Sequence, residues 1–514
     1  MKRNDSMDTN GDGSHPSQIT IDHLRDRRIF WTCLILFVLS AIWPFFMALD
    51  SLPLRIWDEA RQAVNAYEML HNGNWLVTHF YGEPDMWSTK PPLLIWLQVF
   101  FFRILGPGEL ALRLPSAIAA FLMCFFLFKY IGGRSGFPLL GLITVLLIYT
   151  SDGFIHMHVA RSGDYDALLT LFMITSLIML HRWTVHAHDR DILIAMALLA
   201  FGALTKGVQA MLFTPGILAF LLLEKKALLL LRNKYLYLGI GFFILLVGSY
   251  YVSREMIVPG YLQAVWDNEL GGRYAGTLEG HDRPWDHYLR MLIDHHFTPW
   301  WMLVPLGLVT GLTSKDRWLR SWALLLTCTV TGYLLVVSSS GTKLDWYSAP
   351  AIPLLAGIAA VPLLQASQLL HRPLSGITSD PFKVILALLF VIFMAPYHRI
   401  THHIYKKKEY PWDSSFYSTS HYLHKAVRNG PLEANILCHD GYDAHLVFYL
   451  WLLKDQGRVV EKRSVDQLLP GMRVMAQGER EKDAIENGYP HEVIHGSGSM
   501  RIYEILNGGH AGKN

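Results

Sequence analysis

Long apolar runs alternate with short polar segments from residue 29 to residue 398. Their lengths suit membrane-spanning helices rather than core strands, judged against a span of ~20 residues. Eleven crossings are predicted, near 29–49, 111–130, 137–150, 164–181, 191–204, 207–223, 235–253, 296–312, 319–338, 346–366 and 382–398. The first run is long for a signal-peptide core and lacks a small-residue cleavage site, so it is read as a retained helix. The run PPLLIWLQVFFFRILG (91–106) is read instead as an interfacial helix lying along the membrane. Counting it as a crossing would move every later basic loop to the other side.

Basic residues orient the spans. Arg25, Arg27 and Arg28 precede the first run, and Lys129 with Arg134, Arg182 with Arg190, Lys225 with Arg232, Lys315 with Arg320, and Arg372 with Lys383 fall in alternate loops. That side is the predicted cytoplasm. Arg399 and Lys406–Lys408 follow the last run on the opposite side and run against the count. After residue 400 helical patterns alternate with short apolar strands (ANILCHD, GRVVEK, RVMAQ, SMRIYEI), the pattern of a small α/β domain. The expected organisation is a cytoplasmic tail (1–28), a transmembrane domain (29–400) with external loops at 50–110 and 254–294, and an extracytoplasmic α/β domain (401–514).

Composition agrees: 52% of the 514 residues are hydrophobic and 17% charged, against about a quarter charged in soluble proteins. A net charge of +3 gives no argument for nucleic acid, and four scattered cysteines form no disulfide or metal framework.

The predicted outer loops carry the polar clusters. In WDEARQ, Asp58 reads either as a helix N-cap or as a carboxylate available as a base; Glu59, about 100° round the helix, cannot face the same site. Lys90 in STKPP stands at the start of a helix, where an anion is favoured, or else snorkels to the interface. ARSGDYD brings Arg161, Asp164 and Asp166 to the mouth of a membrane helix, where ionisable groups tend to be functional. Lys206 in LTKG and Lys343 in GTKLDWYS together suggest a pocket for phosphate. His156 and His158 form an H-x-H without a third ligand and stay unassigned. His281, beside Glu279, Asp282 and Arg283 in EGHDRPWDHYL, is the one histidine read as a metal or phosphate contact.

In this order the motifs WDEARQ…STKPP, RLPSAIAA, ARSGDYDALLTLF, LTKG, EGHDRPWDHYL and GTKLDWYSAPAIP resemble those of the GT-C glycosyltransferases, the superfamily of bacterial aminoarabinose transferases and protein O-mannosyltransferases. The resemblance covers roughly residues 50–366. It implies a polytopic α-helical membrane protein of about 11–13 transmembrane helices with juxtamembrane helices on the outer face. It also implies an inverting hexosyl- or pentosyltransferase of the cell envelope, which moves one sugar from a polyprenyl phosphate such as undecaprenyl phosphate to a lipid, glycan or protein acceptor.

The implied catalytic residues are Asp58, Glu59, Asp164 and Asp166. Lys90, Lys206, Lys343, Tyr347, Arg161 and Arg283 would hold the donor phosphate. His281 matches a loop histidine that in some relatives helps hold a divalent metal ion, the one cofactor implied. Two positions depart from the pattern. Thr89 stands where many relatives have Glu, which weakens the case for a metal site, and Asp345 replaces a proline.

The reaction expected is a single displacement at the anomeric carbon, with lysines neutralising the leaving phosphate. Asp58 would be the base for a hydroxyl acceptor, or would orient an acceptor that is already an anion. The competing reading is a transporter or flippase of a lipid-linked sugar. It is disfavoured because the charges cluster at one face and no repeated halves are visible. The predicted outer loops hold no N-x-S/T sequon, which favours a bacterial plasma membrane with the site on its outer face.

Overall fold

A computed structural model describes residues 16–507 apart from 135, 136, 157, 278, 279, 408 and 410, and the side chains of 16–26, 372, 406 and 407 are likewise outside the description. Residues 1–15 of the expected tail, Glu279 and Lys408 therefore lie outside the described residues.

Among the described residues eight helices are long and apolar enough to cross a membrane: Arg27–Phe46, Glu109–Gly132, Asp166–His186, Arg190–Met211, Lys234–Ile257, Arg317–Ser339, Ala351–His371 and Pro381–Tyr405. Each coincides with an expected run. The remaining three expected crossings are shorter helices, Pro138–Tyr149, Thr214–Leu223 and Trp300–Leu312. At 12 residues, Pro138–Tyr149 reaches only ~18 Å, short of a ~30 Å hydrocarbon core. It is instead sunk in the common apolar core, with Leu140, Ile143, Val145, Leu147 and Ile148 fully buried. Small residues let helices touch backbone to backbone: a Cβ on Gly332 would lie 2.6 Å from the amide nitrogen of Gly216.

The segment after the first span folds as a lid of short elements. DEARQAVNAYEMLHN forms the helix Asp58–Asn72, ended by Gly73 in the left-handed conformation (φ 68°), whose N–H returns to Met69 O. Asp58 is the first helical residue rather than the N-cap; that position belongs to Trp57. A hairpin, His79–Phe80 with Glu83–Pro84, turns through Tyr81 and Gly82, both at positive φ. The pattern at 91–106 becomes the 13-residue helix Leu93–Leu105. It packs with the Asp58–Asn72 helix and with Leu446 and Phe448 of the C-terminal unit, and at 13 residues it is shorter than a span.

The C-terminal unit has a five-stranded sheet in the order Glu461–Lys462, Ile436–Cys438, Arg473–Ala476, Met500–Ile505, His491–Ser497. The first three strands are parallel, and Met500–Ile505 runs antiparallel to both its neighbours. The strand His491–Ser497 escaped the sequence reading because it is an edge strand with six of seven residues exposed, so no apolar alternation marks it. Helix Ala444–Asp455 docks this unit on the lid. Tyr449 accepts a hydrogen bond from Leu54 N (2.9 Å) and donates one to Glu109 Oε1 (2.5 Å), while Tyr67 donates to Asp455 (2.7 Å). Arg399, which ran against the positive-charge count, is paired with Asp152 (3.0 Å) and donates to Thr298 O. Its charge is compensated within the protein.

Removing the Tyr449 hydroxyl in Tyr449→Phe strips a partner from the buried Leu54 N–H and from Glu109 at once. A loss of about 1–3 kcal/mol is expected, read as a lower melting temperature of the detergent-solubilised protein with its elution volume unchanged. Melting equal to wild type would refute the docking role.

Candidate functional site

Adjacent acids at the start of the Asp58–Asn72 helix point to different places. Glu59 is buried (1% exposed) and faces the bundle. Its Oε1 accepts from Arg113 Nε (2.7 Å) and Gly163 N (2.9 Å), and its Oε2 from Arg113 Nη2 (2.8 Å) and Arg55 N (2.9 Å). Arg113 spends its remaining donors on the carbonyls of Leu49, Leu52 and Pro53. Burial alone would raise the Glu59 carboxyl, yet the Arg113 charge and these hydrogen bonds hold it down at about 2. Both Glu59 oxygens, expected among the catalytic acids, are engaged by groups that fix the lid to the bundle.

Asp58 turns the other way and remains partly exposed. Burial works against its charge, but Lys90, His158, Arg273 and Lys206 together hold its carboxyl below the ordinary value. Asp58, His158 and Asp164 each bring a ligand atom within 4.8 Å of the others. His158 Nδ1 lies 2.6 Å from Asp164 Oδ2, and the His158 ring stacks on Trp346 at 4.0 Å. Asp164 is positioned further by Gln62 (2.9 Å) and Ser162 (2.7 Å), so the first-loop helix and the ARSGD loop are joined through it. Burial would lower the His158 pKa; the Asp164 carboxylate, with Asp58 and Glu59, pushes it up to about 9. The imidazole is a cation at neutral pH.

Asp166 begins its transmembrane helix and takes both its hydrogen bonds from the buried Lys206 Nζ, each 2.7 Å. Lys206 ends its own helix and lies 5.1 Å from the centre of the Tyr347 ring. Tyr347 accepts from Arg273 Nη1 at 3.4 Å. Lys90 sits over the Tyr165 ring and 3.7 Å from Glu269, which also accepts from the Thr89 hydroxyl at 3.3 Å. A carboxylate thus stands beside Thr89 after all, supplied from 180 residues away.

Glu269 and Arg273 are the residues the sequence reading missed. Both lie in Trp266–Tyr274, a π-helical stretch, a rare geometry that recurs at functional sites. The four-residue spacing in NELGGRY was the available signal, but a loop so rich in glycine and charge gave no helical periodicity. His158 was passed over for want of a third ligand; Asp164, six residues on, and Asp58, from the first loop, supply the rest.

Four expected residues fall elsewhere. Arg161 donates to the carbonyls of Pro44 (3.0 Å), Met47 (2.8 Å) and Ala48 (3.2 Å), and so caps the end of the first transmembrane helix. Lys343 Nζ donates to Ser340 O (2.6 Å), and its backbone N–H to His281 O (2.9 Å). His281 is outside the ligand cluster, and its backbone serves to pin the long loop to the late motif, with Asp282 bridging Thr342. Arg283 is exposed. Asp345, the replacement for proline, meets His287 Nε2 at 3.0 Å.

Two carboxylates and an imidazole are a donor set that suits a borderline divalent ion. The fit holds on one condition: His158 must release the proton it now directs at Asp164. Without a metal, the set balances itself, with Asp58, Asp164, Asp166 and Glu269 against Lys90, His158, Lys206 and Arg273. Such a cluster can hold an anion among its cations and present Asp58 to a third group.

Comparison with known proteins bears on this arrangement. Residues 89–251 match the family described as dolichyl-phosphate-mannose-protein mannosyltransferase. The undecaprenyl phosphate-α-4-amino-4-deoxy-L-arabinose arabinosyl transferase of Pseudomonas savastanoi pv. phaseolicola is 29% identical over 354 residues, which are 66% of this chain and 63% of the relative. The enzyme of the same description from Enterobacter sp. (strain 638) is 26% identical over 389 residues, covering 71% of this chain and 66% of its own length. The match thus spans a little under two thirds of each relative. The crystal structure of ArnT from Cupriavidus metallidurans bound to undecaprenyl phosphate has the same fold, with a TM-score of 0.69 at 18% identity over 91% of this chain and 97% of the other.

Two substitutions separate scaffold from site. Glu59→Ala leaves buried Arg113 unpaired and is expected to cost about 3–5 kcal/mol, read as lost folded protein in detergent. For His158 the pKa is raised on folding, so the Asp164 pair stabilises in full below 6.5 and its contribution disappears as pH rises through about 9. The melting temperature of wild type should exceed that of His158→Gln at pH 6, and the gap should close above pH 9. A constant gap would contradict the protonated pair.

Proposed function

We propose that this GT-C membrane protein, akin in fold and sequence to the aminoarabinose transferases, moves one sugar from a polyprenyl-phosphate donor to an acceptor on the outer face of the bacterial inner membrane. The observation that carries the reading is the pairing of a partly exposed Asp58 with four cations drawn from four separate segments. A carboxylate facing cations that could hold a leaving phosphate suits group transfer.

The donor phosphate would lie among Lys90, Arg273 and Lys206, with Tyr347 as a hydroxyl partner. Arg273 Nε is buried and without a hydrogen-bond partner, a donor free for a phosphate oxygen. Attack by the acceptor oxygen forms a bond to the anomeric carbon as the bond to the phosphate oxygen breaks, and that electron pair leaves with the phosphate. The growing negative charge falls among fixed cations in a water-poor setting, where preorganised charge is worth most. Glu269 keeps Lys90 in place between turnovers, and Asp166 does the same for Lys206. With a hydroxyl acceptor the proton passes to Asp58. With a phosphate acceptor no proton moves, and Asp58 orients the incoming group. A divalent ion held by Asp58, His158 and Asp164 would supply further neutralising charge beside the acceptor.

The C-terminal unit would lie on the same outer side, since it packs on the lid that carries Asp58. The names of the curated relatives make undecaprenyl phosphate-α-4-amino-4-deoxy-L-arabinose the first donor to test. Asp58→Asn should lower transfer in proteoliposomes by about 10²–10⁴-fold while leaving melting and undecaprenyl phosphate binding near wild type. Lys90→Ala should weaken undecaprenyl phosphate binding by about tenfold or more. Normal transfer by Asp58→Asn would end the assignment. Binding of Mn²⁺ to the purified protein, followed by paramagnetic resonance, should tighten from pH 6 to pH 9 and vanish in His158→Ala. If no ion binds to wild type, the metal part of the reading fails while the transferase part stands.

A further inference from the structure

Trp57 precedes the proposed catalytic acid and adopts φ 69°, ψ −117°. This is the conformation of the first central residue of a type II′ turn, a place that glycine takes freely and a tryptophan does not. No side chain caps the helix there, and burial does not explain the strain, because the Trp57 indole is 57% exposed. What holds it comes from the C-terminal unit. The Tyr442 ring stacks on the indole with centroids 4.7 Å apart and planes 25° apart, and the Tyr442 hydroxyl donates to Trp57 O at 3.1 Å.

Tyr442 is itself fixed from both sides. It follows Gly441, whose φ of 96° turns the chain out of the strand Ile436–Cys438. The next residue, Asp443, is bound by Tyr81 (2.5 Å) and Lys462 (2.6 Å). Phe80 lies nearly parallel to Tyr442 with centroids 6.2 Å apart and carries the Arg61 guanidinium 4.1 Å above its own ring. Trp57 O also receives Arg61 N (2.9 Å), the first hydrogen bond of the helix that bears Asp58. Rotation about ψ of Trp57 would carry the Asp58 Cα, and with it the carboxylate, away from Lys90 and His158.

We infer that Tyr442 is a positioning residue: the C-terminal unit clamps Trp57 in a glycine-like backbone conformation and thereby aims Asp58 at the reacting groups. The inference rests on the proposed transferase reading for its catalytic consequence but not for its structural content. It gives the C-terminal unit a task in the reaction.

A double-mutant cycle on the full-length protein in nanodiscs tests it. Tyr442→Ala should lower kcat at least tenfold with undecaprenyl phosphate binding unchanged, since Lys90, Arg273 and Lys206 are held by other contacts. Tyr442→Phe, which keeps the stack, should retain most of the rate. Trp57→Gly accepts the same backbone angles without strain, so Tyr442→Ala placed on Trp57→Gly should cost little. Hydrogen exchange of amides 55–61 should quicken in Tyr442→Ala and return toward wild type in the double variant. Equal losses from Tyr442→Ala in both backgrounds, or unchanged exchange in Tyr442→Ala, would overturn the positioning role. Should wild type transfer no sugar at all, the transferase reading fails, and the exchange measurements alone still decide whether Tyr442 clamps Trp57.

Discussion

The buried pair of Glu59 with Arg113 is the constraint from which the rest of the site follows. All five guanidinium donors are engaged, on the carboxylate and on three carbonyls at the end of the first span, while the carboxylate also receives Gly163 N. An ion pair so placed stabilises little compared with apolar packing, because desolvation offsets much of its attraction. Its effect is geometrical. It ties the first-loop helix, the Glu109–Gly132 span and the ARSGD loop into one body, and it fixes the rotation of that helix. Once Glu59 faces the bundle, the 100° step between neighbours sends Asp58 toward the opposite loops.

Those loops bring charge in matched amounts. Each cation of the cluster has a resident partner: Lys206 with Asp166, His158 with Asp164, Lys90 with Glu269. Arg273 is the exception: its buried Nε has no hydrogen-bond partner, and its Nη1 donates to the Tyr347 hydroxyl. Placing ionisable groups at membrane depth is costly unless they are compensated. A neutral resting set meets that cost, and an arriving phosphate redistributes partners instead of meeting naked cations. The same balance explains why Asp58 stays ionised although partly buried. In a setting of low effective dielectric, four neighbouring positive charges outweigh the loss of hydration.

The C-terminal unit contributes no residue to that charge set, yet it closes the lid mechanically. Tyr449 and Tyr442 of that unit reach Leu54 and Trp57, and Tyr67 of the lid reaches back to Asp455. Aromatic side chains suit this work: each adds broad apolar contact and a single directional hydroxyl while losing little rotamer freedom. The apolar residues of the lid helix pack in clusters shared with the C-terminal unit.

Apolar run length was enough to find the eight membrane helices, and the ordered motifs were enough to single out Asp58, Lys90, Asp164, Asp166, Lys206 and Tyr347, which the tertiary structure does bring together. These features are legible because span length and local spacing are properties of the chain alone. Only the fold shows Arg161, Lys343 and Glu59 directing their charge to helix-end carbonyls, a loop carbonyl and a buried partner. Glu269 and Arg273 were invisible for the converse reason: their partners lie tens to hundreds of residues away, while His158 was seen but lacked Asp58, its ligand partner from another loop. Which of several equivalent charges meets an open site, and which is consumed by the scaffold, depends on distances between segments that no local pattern encodes, and the three-dimensional packing alone sets them.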